Sequence, residues 1–131
     1  MIAFLLAQIG KIKNSISNIV VSDESSGITN NSGMEFAKLY VVKAARLALL
    51  QYRSKGSTGV ENGGLLCTIP AAYKPVSNTD CVGSCWLSSG ATSGVTVSFT
   101  SRVMSSSGDI YALHPLNQTM YGHSGISIWK Y

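Results

Sequence analysis

Apolar residues near the start of the chain recur at spacings that alternate between three and four. They are Ile2, Leu5, Ile9, Ile12, Ile16 and Ile19. This spacing places them along one side of a helix, as in the seam of a coiled coil. We therefore predict a helix over residues 2–20, and we call its apolar positions the assembly stripe. The stripe is expected to mediate self-association or to bind a partner helix; the alternative is that it packs on the chain's own core.

A second helix is predicted after a polar, turn-rich segment at residues 22–31. Ser32 and Glu35 have the spacing of a capping box, and Gly56 can take the left-handed conformation that ends a helix. The run between these signals, residues 34–53, carries its cationic side chains on one side and leaves a broad apolar arc. We expect this second helix to form the centre of the core.

The last part of the chain alternates between apolar and polar residues, which is typical of half-buried strands. Strands are predicted at residues 64–69, 95–99, 109–113 and 125–131. Gly108 supplies the conformational freedom that a tight turn between two of them needs. The sequence therefore predicts an antiparallel sheet of three or four strands.

These elements predict an α+β fold with the N-terminal helices packed on a small antiparallel β-sheet. A chain of 131 residues is long enough for one core and too short to expect two. We expect a single domain over residues 1–131. It divides into a helical half at residues 1–56 and a Ser/Gly-rich β half at residues 57–131.

Charged residues make up only 12% of the chain, so much of the surface must be neutral and polar. Such a surface favours an extracellular or cell-surface protein. The net charge of +4 comes mainly from cations on the predicted helices, without a dense basic run or interleaved aromatic residues, so we expect no nucleic-acid partner. No apolar run approaches the ~20 residues of a membrane-spanning helix, and no membrane span is expected.

Three cysteines, Cys67, Cys81 and Cys85, admit several interpretations. A disulfide between Cys81 and Cys85, or from Cys67 to either, would close the loop-rich residues 70–90 in an oxidising compartment. The thiols could instead be reduced and buried. A metal site with His114 or His123 is disfavoured because the chain lacks the C-x-x-C pair of zinc modules. We expect neither a metal nor a cofactor.

The segment Gly83-Ser84-Cys85-Trp86 resembles the nucleophile motif of papain-like cysteine proteases. The resemblance covers these four residues and implies a thiolate at Cys85, with a histidine and Asn117 to complete the site. In that family the cysteine opens a long helix, whereas Ser- and Gly-rich residues follow it here. A small cysteine-dependent hydrolase is therefore an alternative function, and we expect the chain not to be an enzyme.

Three aromatic residues, Trp86, Tyr121 and Trp129, form the candidate ligand surface. Aromatic side chains supply large contact areas in binding interfaces. They favour a second alternative, a binding or adaptor module such as a phage-type structural component.

A heptad-striped helix, a long second helical segment, a C-terminal antiparallel sheet and a cysteine-bearing loop together resemble a pilin or pseudopilin. The resemblance is architectural and covers most of the chain, without a processing motif. It implies a non-enzymatic structural subunit of a surface or extracellular filament. In such a subunit the helix packs in the filament centre, and the sheet and a disulfide-closed loop face outward. This pilin-like assembly role is the leading functional expectation.

Overall fold

Most of the described residues belong to one antiparallel β-sheet. The computed structural model describes residues 1–17, 19–87, 95–114 and 118–131, and only the backbone of residues 15–17 and 95–100. Helix α1 (Ile2–Ser17) precedes the sheet. The strands are β1 (Val21–Asp23), β2 (Met34–Val42), β3 (Leu47–Ser54), β4 (Gly59–Val60), β5 (Leu65–Thr68), β6 (Thr79–Trp86), β7 (Val95–Val103), β8 (Asp109–Ala112) and β9 (Met120–Lys130). Short 3₁₀ helices lie at Ser25–Gly27, Lys43–Ala45 and Ala71–Tyr73.

The sheet has the strand order β1-β2-β3-β9-β6-β7-β8-β5, and β4 pairs with β9. Thr29 and Thr68 exchange two backbone hydrogen bonds, each of 2.9 Å, which connect β5 to the segment before β2. The sheet is therefore curled, with a concave side that encloses the core.

The two ends of the sheet differ in what surrounds them. At one end, the helix end, α1 leads into β1, and Val21 pairs with Val42. At the other, the far end, Met34 pairs with Ser54, and β4 pairs with the first residues of β9. Helix α1 and the loops of the far end therefore lie at opposite ends of the strands.

The concave side of the sheet holds the hydrophobic core. Its fully buried side chains include Leu39, Leu50 and Ile110. One buried polar pair crosses this core, because the Tyr52 hydroxyl donates to Ser101 Oγ at 2.7 Å. Burial of these side chains, at about 1.5–3 kcal/mol for each large apolar group, drives the folding of the sheet.

The second predicted helix does not form, because residues 34–54 are the hairpin β2–β3. Leu39 and Val41 point to the core, whereas the intervening Tyr40 is only partly buried. This alternation has period two, and Val and Tyr favour strands. Ser32 and Glu35, which were predicted to cap a helix, instead make contacts with the end of β3 and the residue after it. Glu35 forms an ion pair with Arg53 at 3.2 Å, and the Ser32 carbonyl accepts a hydrogen bond from Lys55.

The predicted α+β fold with helices packed on a small sheet is therefore wrong. The described residues are mainly β, and the helical half predicted at residues 1–56 reduces to α1. Every α1 residue whose side chain is described is exposed or partly exposed, so the helix does not pack on the sheet. The predicted strands near residues 64–69, 95–99, 109–113 and 125–131 are confirmed as β5, β7, β8 and β9.

Candidate assembly surface

The assembly stripe is exposed along the described part of α1. The relative exposures are 75% for Ile2, 53% for Leu5, 59% for Ile9 and 60% for Ile12. Ile16 lies in α1, but its side chain is outside the described residues, and Ile19 follows the helix at 55% exposure. Large apolar side chains in a continuous row are unfavourable in water, and such rows mark interaction surfaces.

The stripe has the composition of a multi-stranded coiled coil. In heptad positions, Ile2, Ile9 and Ile16 occupy a, and Leu5 and Ile12 occupy d. Isoleucine at both positions, as at Ile9 and Ile12, shifts the preference from two strands towards three or four, whereas isoleucine at a with leucine at d, as at Ile2 and Leu5, favours two. Lys13 occupies position e and Gln8 occupies position g. In a parallel bundle, Gln8 of one copy faces Lys13 of the next, so this contact brings no like charges together.

An exposed apolar segment enters the first strand of the sheet. Ile19 is 55%, Val20 72% and Val21 58% exposed. Val21 pairs with Val42, which in turn pairs with Leu47. The residues that enter β1 therefore adjoin the convex side of the sheet.

On that convex side, cross-strand partners form an apolar row that we call the open face. Tyr40, Leu49 and Ile128 are consecutive register partners on β2, β3 and β9. A shallow groove of about 360 Å³ lies beside them. Its lining residues are Val21, Tyr40, Val42, Leu47, Ala48, Leu49 and Ile128. Ile128 is 60% exposed although its neighbours in the row are apolar, which is typical of a surface that another molecule covers.

A charged pair borders the open face on β6 and β7. Asp80 and Arg102 are register partners, and Arg102 Nε donates to Asp80 Oδ1 at 2.6 Å. The hydrogen bond and charge of Asp80 raise the pKa of Arg102. An apolar centre with a polar border is the usual anatomy of a protein interface.

The predicted ligand surface is divided between two places. Trp86 and Tyr121 are register partners at the far end and are partly buried. Gly122, with φ +57°, makes room for Trp86, because a Cβ there would lie 1.8 Å from the indole ring. Trp129 is only 5% exposed and donates from Nε1 to the Tyr73 carbonyl at 2.8 Å. The three aromatic residues therefore do not form one surface.

The three cysteines are buried and none is bonded to another. Cys81 and Cys85 lie on the same strand, β6. Four residues of extended chain span about 13 Å, far beyond the reach of a disulfide. A bridge between them would require β6 to break. Burial, and secondarily the nearby Cys81, raises the pKa of Cys67 to about 12.

The surroundings of Cys85 do not favour a thiolate. Its side chain is buried in a strand, and burial raises its pKa, whereas a cysteine nucleophile needs a lowered one. His114 and His123 lie near each other, with ring centroids 5.6 Å apart. Asn117 lies outside the described residues.

The described residues contain no group of three or more His, Cys, Asp and Glu side chains that could hold a metal ion. None of their helices is both long enough and apolar enough to cross a membrane.

Comparison with known proteins gives no match for this chain. No family model fits it, and no curated protein or solved structure is significantly similar to it.

Proposed function

We propose that this protein is a non-enzymatic structural subunit that self-associates through α1. The observation that carries this proposal is the exposed assembly stripe, with the described helical positions between 53% and 75% exposed. An isolated helix of this length is marginal in water, and burial of a Leu or Ile side chain contributes up to about 1.5–3 kcal/mol. Association of helices would stabilise α1 and remove the stripe from water in one step.

The arrangement that fits the surface best is a parallel bundle of three copies. Isoleucine at a and d favours more than two strands. A parallel arrangement also places the helix ends of all the sheets together. The open face begins at Val21, the first residue of β1, which follows α1 in the chain. Neighbouring copies in a parallel bundle can therefore cover the stripe and the start of the open face in one continuous interface.

The wider setting is part of the same proposal. A subunit of a surface or extracellular assembly accounts for a chain with few charged residues. The resemblance to pilins remains a prediction. In this chain α1 precedes the antiparallel sheet of β1–β9, which is the order that the resemblance implies. The second helical segment of the resemblance is wrong, because its residues form β2 and β3.

Substitutions within α1 test this proposal. Replacing both Ile9 and Ile12 by Asn places polar groups in the seam, and we expect the native mass to fall to that of one chain. The matched control replaces Ala3 and Ala7 by Asn, because these residues lie on other sides of the same helix. The control should keep the assembled mass. Equal masses for the two double variants would contradict the proposal.

A fold measurement accompanies the mass measurement. Because α1 does not pack on the sheet, both double variants should keep the β-sheet circular dichroism of the unmodified chain. Loss of the sheet signal in the Ile9→Asn, Ile12→Asn variant alone would show that the stripe supports the core instead of an assembly.

A further inference from the structure

A second groove opens at the far end, where the curled sheet has its mouth. It encloses about 440 Å³, which lies within the usual range for small-ligand sites. One wall is the turn before β2, in which Met34 N donates to the Asn31 carbonyl at 2.9 Å. The other is the loop between β3 and β5, in which Gly64 N donates to the Glu61 carbonyl at 2.9 Å. The mouths of curled sheets and barrels are frequent ligand sites.

The floor of this groove is apolar with one unsatisfied hydroxyl. Met34, Val60 and Leu66 supply the apolar part. Ser54 also lines the groove and is only 1% exposed. Its Oγ has no hydrogen-bond partner among the described residues. A buried hydroxyl in this state costs about 1–3 kcal/mol, which a hydrogen bond to a ligand would offset.

The rim of the groove is polar and nearly uncharged. Asn30, Ser32 and Thr58 offer amide and hydroxyl groups, and Glu61 offers a carboxylate. No lysine or arginine is among the described residues that line the groove. Lys55 lies beside the rim, where its Nζ donates to the Ser32 carbonyl at 2.9 Å, so one cation there accompanies the Glu61 carboxylate. A neutral ligand with several hydroxyl groups would find donors and acceptors around such a rim.

We propose that this far-end groove binds a neutral saccharide unit. The apolar floor contacts the C–H face of the sugar ring, and the rim and Ser54 form hydrogen bonds with its hydroxyl groups. A sugar ring offers both an apolar C–H face and polar hydroxyl groups, which match the apolar floor and the polar rim of the groove. The groove and α1 lie at opposite ends of the strands. In the proposed parallel assembly, each groove would face away from the helices.

Ligand-observed saturation-transfer NMR on the full chain tests the proposal. The probes are glucose, galactose, mannose and N-acetylglucosamine, with N-acetylneuraminic acid as the anionic probe. We expect at least one neutral sugar to bind more tightly than the anionic one. Thr58→Trp, which fills the groove, should abolish binding. The matched control Thr79→Trp, at the helix end, should leave binding unchanged.

Two further variants separate binding from folding. Glu61→Gln should weaken binding about tenfold, because a hydrogen bond to a charged group contributes about 1.5–3 kcal/mol. Ser54→Ala should weaken binding without lowering the melting temperature, because it removes an unsatisfied buried hydroxyl. The proposal is overturned if none of the neutral sugars binds at tens of millimolar, or if Thr58→Trp binds as tightly as the unmodified chain. Neither result would affect the native mass on which the assembly proposal depends.

Discussion

Val82 and Ile126 are direct partners across β6 and β9, and each is about half exposed, at 55% and 48%. On the neighbouring β3, Ile126 faces Gln51, so this pair extends the apolar open face towards β6. Exposed cross-strand pairs of this kind are stabilised when another surface covers them. The open face therefore reaches from β1 to β6.

Substitution on the open face should weaken assembly with little effect on folding. Ile128→Thr removes apolar area from the centre of the row, and Thr is equally suited to a strand. Because the side chain is 60% exposed, the change should alter the free energy of unfolding of the dissociated chain by no more than about 0.5 kcal/mol. The dissociation constant of the assembly, measured by analytical ultracentrifugation, should increase.

The control for this prediction is an exposed β-branched residue that does not line the groove on the open face. Val76 is 78% exposed and is not a lining residue. Val76→Thr should leave the dissociation constant unchanged. If both variants assemble as the unmodified chain does, the open face is not part of the interface.

All three thiols should be protected in the native state. Cys67, Cys81 and Cys85 are each 0% exposed, and burial raises the pKa of each thiol. Iodoacetamide at neutral pH should therefore add no group to the folded chain and three groups in denaturant without reductant. Intact-mass spectrometry counts these groups. Rapid alkylation of Cys85 in the folded chain would contradict this prediction and favour the hydrolase alternative. Fewer than three added groups in denaturant would indicate a disulfide.

Acid should destabilise the fold through His123. Burial, together with the neighbouring His114, lowers the pKa of His123 from 6.5 to about 4. The unfolded chain therefore binds a proton at a higher pH than the folded chain, and stability is lost as pH falls from 6.5 towards 4. The loss should reach about 2 kcal/mol at about pH 5, measured by denaturant unfolding at fixed protein concentration.

The variant His123→Gln isolates this effect because it cannot titrate. Its stability should change much less between neutral pH and about pH 5, whatever its absolute value. This range lies above the pH at which carboxylates with lowered pKa, such as Asp109, titrate. An unchanged pH dependence in His123→Gln would assign the acid sensitivity to other groups.

Local patterns predicted some elements and missed others for identifiable reasons. Helix α1 and strand β9 follow from their periods alone, and the alternation in β9 places Ile126, Ile128 and Lys130 on its exposed side. The turn between β2 and β3 carries no such signal. Arg46 there has φ 52°, a conformation that usually favours glycine. A hydrogen bond of 2.7 Å from Arg46 Nε to the Tyr131 carbonyl accompanies it, and this contact spans most of the chain.

The candidate surfaces were predictable to different extents. The assembly stripe is continuous in sequence, so its spacing reveals it. The open face combines residues such as Val21, Tyr40 and Ile128 from separate strands, and only the order β1-β2-β3-β9 brings them together. The far-end groove is similar, because Ser54 and Glu61 belong to segments that the sequence presents as a helix end and a connection.

The native mass of the unmodified chain tests the central claim most directly. Sedimentation equilibrium across a wide range of protein concentrations reports the number of chains in the assembly. Burial of the assembly stripe in a parallel bundle predicts a mass three times that of the chain, which decreases only on dilution. A mass of one chain at every concentration would contradict self-association through α1.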